Sequence, residues 1–291
     1  MDKLIILGSA KNWHSQDLVR AAKGRAEIEF RSFKSLAAVA GNARARSESP
    51  ESETVIVRAM PNGSLEQVIF RMDVLNVLER KGCRIINPPR SLEIAIDKYL
   101  CLARIQEAGV PVPPSIVCQS FDQAMVAFAD LGEDVVVKPL FGGEGRGLMR
   151  VDNEELAERA FRWLESTDSV IYLQKFIRHS GSDLRILVIG NEMLAMKRNN
   201  SQNWRTNASL GALCETHRPT EDELDLAQRA ANAVGANFCG VDIIRDETGT
   251  PFVLEVNGVP GWKRISETCQ VDVAERLLNL ALRDSCQQSS V

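Results

Sequence analysis

The chain has 291 residues, 44% of them hydrophobic and 25% charged, with a formal net charge of −4. That length supports two or three lobes with a sizeable core, and the acidic balance offers no basic field for nucleic acid. No apolar run approaches the roughly 20 residues that span a bilayer, so neither nucleic acid nor membrane is an expected partner.

The first apolar run, "LIIL" at 4–7, is too short for a signal-peptide core and reads as a buried strand. Residues 41–53, "GNARARSESPESE", are polar and read as a mobile surface loop. "TVIVRA" at 54–59 is a second strand. Ser64 and Gln67 then form a capping box, ahead of Leu65, Val68, Met72, Leu75 and Leu78 at helical spacing. "CRIINP" gives a further strand. This alternation predicts a doubly wound parallel sheet covered by helices, as an N-terminal α/β domain over 1–90.

The middle has a different rhythm. "SIVCQ", "DVVVKP", "GLMRV" and "SVIYLQKFI" read as strands, and "FDQAMVAFADLG", capped by Ser120 with Gln123, and "NEELAERAFRWLES" as helices. They make an α+β module over roughly 111–175. The last third holds "DLRILVIGNEMLAMKR", two strands around a Gly-Asn turn, and a Thr220–Glu223 capping box before "DLAQRAANAVG". The hairpin "FCGVDIIRDETGTPFVLEVN" and an amphipathic helix through "VAERLLNLAL" complete it. The domain boundaries expected are 1–90, 91–177 and 178–291.

Several stretches carry chemistry. In the final hairpin a turn centred near Thr248 and Gly249 sets Asp242 opposite Glu255, with Asn257 on the same face of its strand as Glu255. Facing acids repel unless a cation lies between them, and an all-oxygen donor set suits magnesium. In "VVVKPLFGGEGRGLMRV", Gly142, Gly143, Gly145 and Gly147 lie between two strands. That context excludes a Walker or Rossmann loop and suggests a phosphate-covering flap beside Lys138. Lys98 follows the capping residue Asp97, and a lysine in a first helical turn opposes the dipole unless an anion is present. "QKFI" at 174–177 ends a strand with backbone that can meet an adenine edge. Asp183 and Arg185 share a strand face, Arg198 ends the partner strand, and Arg205 and Asn207 follow. Taken singly, each stretch reads as readily as a solvated hairpin end, a glycine loop or a surface charge. The seven cysteines, at 83, 101, 118, 214, 239, 269 and 286, show no metal-ligand spacing. They read as free thiols of a reducing, cytoplasmic setting.

The order of these pieces resembles the ATP-grasp superfamily, and within it the RimK-type α-L-glutamate ligases, from about residue 54 to 280. The resemblance implies an ATP-grasp fold with two α+β lobes clasping ATP. It implies that Lys98 and Lys138 hold the phosphates, that Gly142, Gly143 and Gly145 belong to the flap, and that Gln174, Lys175, Phe176 and Ile177 form the adenine hinge. Asp183 would meet the ribose, and Arg185, Arg198 and Asn207 would lie around the γ-phosphate and acceptor carboxylate. Asp242, Glu255 and Asn257 would bind Mg2+, with Mn2+ as an alternative. The implied activity is an ATP-dependent carboxylate–amine ligation through an acyl phosphate. "NWHSQDLVRAA", "VIVRAMPNGSLEQVIFRMD" and "VPGWK" resemble the members associated with tetrahydromethanopterin-type cofactors. This implies L-glutamate as the amine and a folate-like carboxylate as acceptor, met by Trp13, His14 and Arg58. A protein C-terminus or a carrier protein stays open as acceptor, as do a homo-oligomer and a catalytically silent nucleotide-binding regulator. Lys175 stands where family members often carry an acid, and "SLGALCE" has only Gly211 where paired glycines are usual.

Overall fold

A computed structural model describes residues 2–39, 53–143, 145–206 and 211–282. β1 (Asp2–Leu7), α1 (Trp13–Ala22), β2 (Ala26–Arg31), β3 (Thr54–Val57), α2 (Leu65–Arg80) and β4 (Arg84–Ile86) make the first lobe. Its sheet is parallel throughout, in the order β2-β1-β3-β4. α2 begins at the expected capping box, with both the Ser64 and Gln67 side chains engaged. The polar stretch at 41–53 lies, except for its last residue, outside the described residues. Strand order reverses between β1 and β3, which opens a crevice at their carboxyl ends, where ligands of open α/β sheets bind.

α3 (Pro89–Ile96) and α4 (Lys98–Glu107) follow. β5 (Ser115–Cys118), α5 (Phe121–Asp130), β6 (Val135–Lys138), β7 (Met149–Val151), α6 (Glu154–Ser166) and β8 (Ile171–Lys175) form the second lobe. Its sheet is antiparallel, in the order β5-β8-β6-β7. Phe128, Phe161, Leu173 and Val137 share its core, so both helices cover one face and the other stays free for a ligand.

The third sheet combines β9 (Ser182–Ile189), β10 (Glu192–Asn199), β11 (Leu213–Thr216), β12 (Phe238–Arg245) and β13 (Pro251–Asn257), in the order β11-β10-β9-β12-β13. α7 (Glu221–Val234) starts at the expected Thr220–Glu223 box. Ile94, Cys101 and Ile105 of α3 and α4 pack with Ile186, Ala230 and Val241. The segment 91–107, assigned from the sequence to the central lobe, therefore covers the third sheet, and this carries Lys98 to the side of β13. α8 (Lys263–Cys269) and α9 (Val273–Leu282) bring Ile265, Leu277 and Leu278 onto Leu4, Ile6 and Ile56. The first and third sheets thus share one core.

Buried Asn87 fastens that junction. Its Nδ2 donates to the carbonyls of Phe238 at 2.6 Å and Gly258 at 2.7 Å. Its Oδ1 accepts from the amides of Asn237 at 2.9 Å and Phe238 at 2.8 Å. The carboxamide is fully satisfied, as a buried amide must be.

Candidate active site

The site grows from sheet register. The turn at Gly190 and Asn191 pairs Ile189 with Glu192, and the same ladder sets Arg198 opposite Asp183. The next ladder sets Asp242 beside Arg185, and the last sets Glu255 opposite Asp242 as expected, through a register shift between Ile243 and Asp242 that an unbroken hairpin count does not contain. Arg198 forks onto Asp183, Nε to Oδ1 at 2.6 Å and Nη2 to Oδ2 at 2.5 Å, and reaches Asp242 Oδ1 at 3.2 Å. Arg185 Nη1 donates to Asp242 Oδ1 at 2.6 Å, and Thr206 Oγ1 donates to Asp183 Oδ2 at 2.6 Å. All five side chains are buried. A Cβ on Gly240 would sit 2.5 Å from the Arg185 guanidinium, so only glycine lets that arginine cross β12. Burial raises the Asp183 carboxyl above the usual range despite Arg198. Burial also opposes ionisation of Asp242, but Arg185 and Arg198 outweigh it and hold this carboxyl low.

Asp183, Arg198 and Thr206 line the cavity described below, whereas Arg185 and Asn257 do not. Asp183, expected at the ribose, is engaged by Arg198 and Thr206. Arg185 and Arg198, expected around a γ-phosphate, grip carboxylates. Asn257 pairs with Gly240, two residues along from the Asp242–Glu255 pair, and its Oδ1 accepts the amide of Val259 at 3.0 Å. Asn207 lies outside the described residues. Thr206 and Gly240 had been passed over. For the Asp183–Arg198 pair, the two-residue Gly190–Asn191 turn already fixed the register.

An open cavity lies between the second and third sheets, with Asp242 and Glu255 on one wall and Lys138 and the glycine loop on the other. Lys98, the first residue of α4, donates from Nζ to the carbonyl of Gly142 at 2.5 Å. Lys138 Nζ donates to Gln174 Oε1 at 2.6 Å, and Gln174 Nε2 donates to Ser115 Oγ at 3.1 Å. Burial pulls the Lys138 ammonium down to about 8, with Lys98 adding to it while Glu255 and Asp242 oppose. Burial lowers Lys98 too, again against Glu255. Two partly desolvated ammonium groups facing two carboxylates is an arrangement that a polyanion with its cation would relax. Gly142, Gly145 and Gly147 have φ of 119°, 71° and 73°, values that side chains rarely adopt. Gly143 has open space around it, and Glu144 lies outside the described residues. Arg205 lines the cavity with a buried Nε that has no partner among the described residues.

At the hinge, the amide of Lys175 bonds the Pro114 carbonyl and that of Phe176 the Asp134 carbonyl, both at 2.8 Å. Gln174, Lys175, Phe176 and Ile177 all line the cavity. The Phe176 ring is covered by the Arg150 guanidinium at 3.8 Å, which Asp134 holds by two bonds of 2.8 Å. The donor set of Asp242, Glu255 and Asn257 is all oxygen, and Lys98, Lys138 and Arg205 supply the charges that phosphates require. The chemistry of these residues fits a magnesium nucleotide. Among the described residues no cluster of three or more His, Cys, Asp or Glu side chains forms a further metal site.

Trp13, His14 and Arg58 gather elsewhere, at the carboxyl edge of the first sheet, and none of them lines that cavity. Trp13 and His14 open α1. His14 Nε2 accepts the amide of Trp262 at 3.1 Å, which places its proton on Nδ1, facing Asn12 Oδ1 at 3.0 Å. Burial, then the nearby Arg58, lowers its pKa to about 4. Arg58 stacks at 4.4 Å over Trp262, a residue the sequence reading had quoted without assigning it a contact.

The model of the RimK-like ATP-grasp domain matches residues 95–281. The chain belongs to the RimK-like ATP-grasp family. It is 34% identical over 221 residues to a tetrahydromethanopterin:alpha-L-glutamate ligase of Methanococcus maripaludis, covering 74% of this chain and 75% of that one. To an alpha-aminoadipate–LysW ligase, LysX, of Sulfurisphaera tokodaii it is 32% identical, covering 69% and 73%. Among solved structures, a RimK domain ATP-grasp protein of Sphaerobacter thermophilus superposes with a TM-score of 0.76 at 20% identity, covering 96% and 99%. The ATP-grasp ligase PsnB with its minimal precursor, Mg and ADP gives a TM-score of 0.74 at 20% identity over 97% and 98%. The fold is that of ATP-grasp ligases, α/β and α+β with parallel and antiparallel sheets.

Proposed function

We propose that this ligase adds L-glutamate to a carboxylate of a folate-like, tetrahydromethanopterin-type cofactor or its precursor. The observation that carries the chemistry is the single cavity on which Lys98, Lys138, the glycine loop, the hinge and the Asp242–Glu255 pair converge. The likeness to the tetrahydromethanopterin ligase supports the acceptor. The likeness to LysX supports, as a second reading, an amino-acid carrier protein in its place.

In this reading ATP supplies a phosphoryl group that turns the acceptor carboxylate into an acyl phosphate. Lys98 and Lys138 hold the phosphates, and Arg205 adds charge beside them. Asp242, Glu255 and Asn257 hold Mg2+, with Mn2+ able to replace it. The glycine loop closes over the phosphates and excludes water from the activated carboxylate. Ile177 meets the base edge, while Gln174 orients Lys138, and Lys175 and Phe176 fix the hinge backbone to the second sheet. Asp183, with Arg198 and Arg185, sets the position of Asp242, and Asn207 is assigned to the acceptor carboxylate. Catalysis is positioning and charge neutralisation, so no cysteine nucleophile is needed. The free cysteines among the described residues and the lack there of any helix long and apolar enough to cross a membrane accord with a cytoplasmic setting.

The test is ADP formation with MgATP, L-glutamate and either tetrahydromethanopterin-type or carrier-protein acceptors, with product masses recorded. Glutamylation of the cofactor supports the reading, and turnover only with a carrier protein moves it to the second. ATP hydrolysis independent of both amine and acceptor contradicts it.

A further inference from the structure

Arg58 directly follows β3 at the point where strand order reverses in the first sheet. Its side chain is only 8% exposed. Nη2 donates to the carbonyl of Pro260 at 3.0 Å, but Nε and Nη1 are buried with no partner among the described residues. No acid there offsets its charge, and burial alone pulls the group down to about 9. A guanidinium keeps its proton in proteins, so the charge stays and is poorly solvated there. A buried arginine is ordinarily forked onto a carboxylate, as Arg198 is. Here the guanidinium stacks on Trp262, and two donors have no hydrogen-bond partner among the described residues.

The surroundings are cationic or neutral. His14 is held neutral, Lys263 lies 5.5 Å over the Trp13 ring, and the amino-terminal turn of α1 opens beside them. The nearby acid, Asp17, is occupied by the Trp262 Nε1 at 2.8 Å and by Arg20 at 2.8 Å. The cover is thin, since Ser9, Lys11, Asn12 and Trp13 are exposed beyond Gly8, which packs on Arg58. Pro260 and Trp262, which hold Arg58, follow Asn257 on the strand that bears the proposed metal ligands. Three residues of chain span at most roughly 10 Å, so Arg58 lies within a small molecule's length of the metal site.

We propose that Arg58 receives a second carboxylate of the acceptor, distinct from the one that reacts, so that the enzyme selects acceptors carrying two anionic groups. Its two unpartnered donors, Nε and Nη1, match a carboxylate's two oxygens. The inference rests on the ligase reading, with the reacting carboxylate at the metal. An arginine whose charge is compensated only by its ligand also destabilises the free protein, so the same residue reports binding through stability.

The experiment uses the full chain with MgADP, and as probes suberate, a dicarboxylate, and its monoamide, a monoanion of equal length. Binding is read from tryptophan emission, to which Trp262 contributes, and from the unfolding temperature. Suberate is expected to bind roughly 10- to 150-fold more tightly than the monoamide, the span of one charge-assisted contact. Arg58→Met should erase that preference, raise the unfolding temperature of the protein without probe, and leave MgADP affinity unchanged, while Arg58→Lys should restore part of the preference. Equal binding of the two probes, no response of the wild-type protein to suberate, or an Arg58→Met protein that is less stable or keeps the preference overturns the proposal. Loss of MgADP binding by the wild-type protein would instead count against the ligase reading.

Discussion

Replacing Arg198 with methionine removes both bonds to Asp183 and the 3.2 Å contact to Asp242 while keeping most of the buried volume. Asp183 would then retain Thr206 as its only partner shown here, in a site where it is 5% exposed. Breaking a buried pair by deleting one partner costs about 3–5 kcal/mol, because the remaining charge stays desolvated. Arg198→Met should therefore lower the unfolding free energy by that amount, read from the urea midpoint by tryptophan fluorescence. Adding Asp183→Asn should return a large part of the loss, since no charge then stays buried. The pH dependence follows in sign. Burial already raises the Asp183 carboxyl, and without Arg198 its folded pKa stays above the unfolded one. The penalty is then full above the folded pKa and is relieved as pH falls through it, so the loss should be smaller at about pH 5 than at about pH 8. A loss below about 1 kcal/mol, as for a surface ion pair, or no recovery in the double variant, would refute the reasoning.

Glu255→Gln keeps the shape of a strand end that lines the cavity, so stability should hold within about 0.5 kcal/mol while magnesium-dependent turnover falls by orders of magnitude; wild-type turnover at limiting magnesium contradicts the ligand role. Burial places Lys138 at about 8, so its charge is lost as pH rises through that value, and MgADP affinity measured by calorimetry should weaken from about pH 7 to about pH 9.5. Lys138→Arg, which stays charged, should flatten that profile, and an unaltered slope would exclude Lys138 as its source. Asn87→Leu removes all four bonds between the first and third sheets at that junction and strands buried backbone groups. It should cost at least about 3 kcal/mol by denaturant unfolding, and a smaller loss would show water or backbone shifts taking over those bonds.

What the sequence revealed was what is local. The caps at Ser64, Ser120, Asp97 and Thr220 depend on a few neighbouring residues, and each appears where its residues allow. The expected Asp242–Glu255 pairing is present, but a register shift between Ile243 and Asp242 produces it, since an unbroken count from the turn would set Asp242 opposite Leu254; the count from Gly190 and Asn191, by contrast, gives Arg198 opposite Asp183 directly. β2 and β11 escaped notice because they are edge strands. "AEIEFR" mixes charges that find Lys3 and Arg31 only after folding, and β11 is largely exposed. The Arg185–Asp242 contact joins strands separated by α7, so no local count could find it. Arg58 was legible at the end of a strand, but its lack of a counter-ion was not, because that depends on Pro260 and Trp262 arriving from the far end of the chain.

The central claim is that a carboxylate is activated by ATP before an amine attacks it. An acceptor labelled with 18O in its carboxylate, incubated with the protein, MgATP and L-glutamate, tests this through the mass of the inorganic phosphate released. The account predicts one labelled oxygen carried into each phosphate, in step with ADP and amide formation. Unlabelled phosphate formed alongside the amide, or phosphate released at the same rate without acceptor, would contradict it.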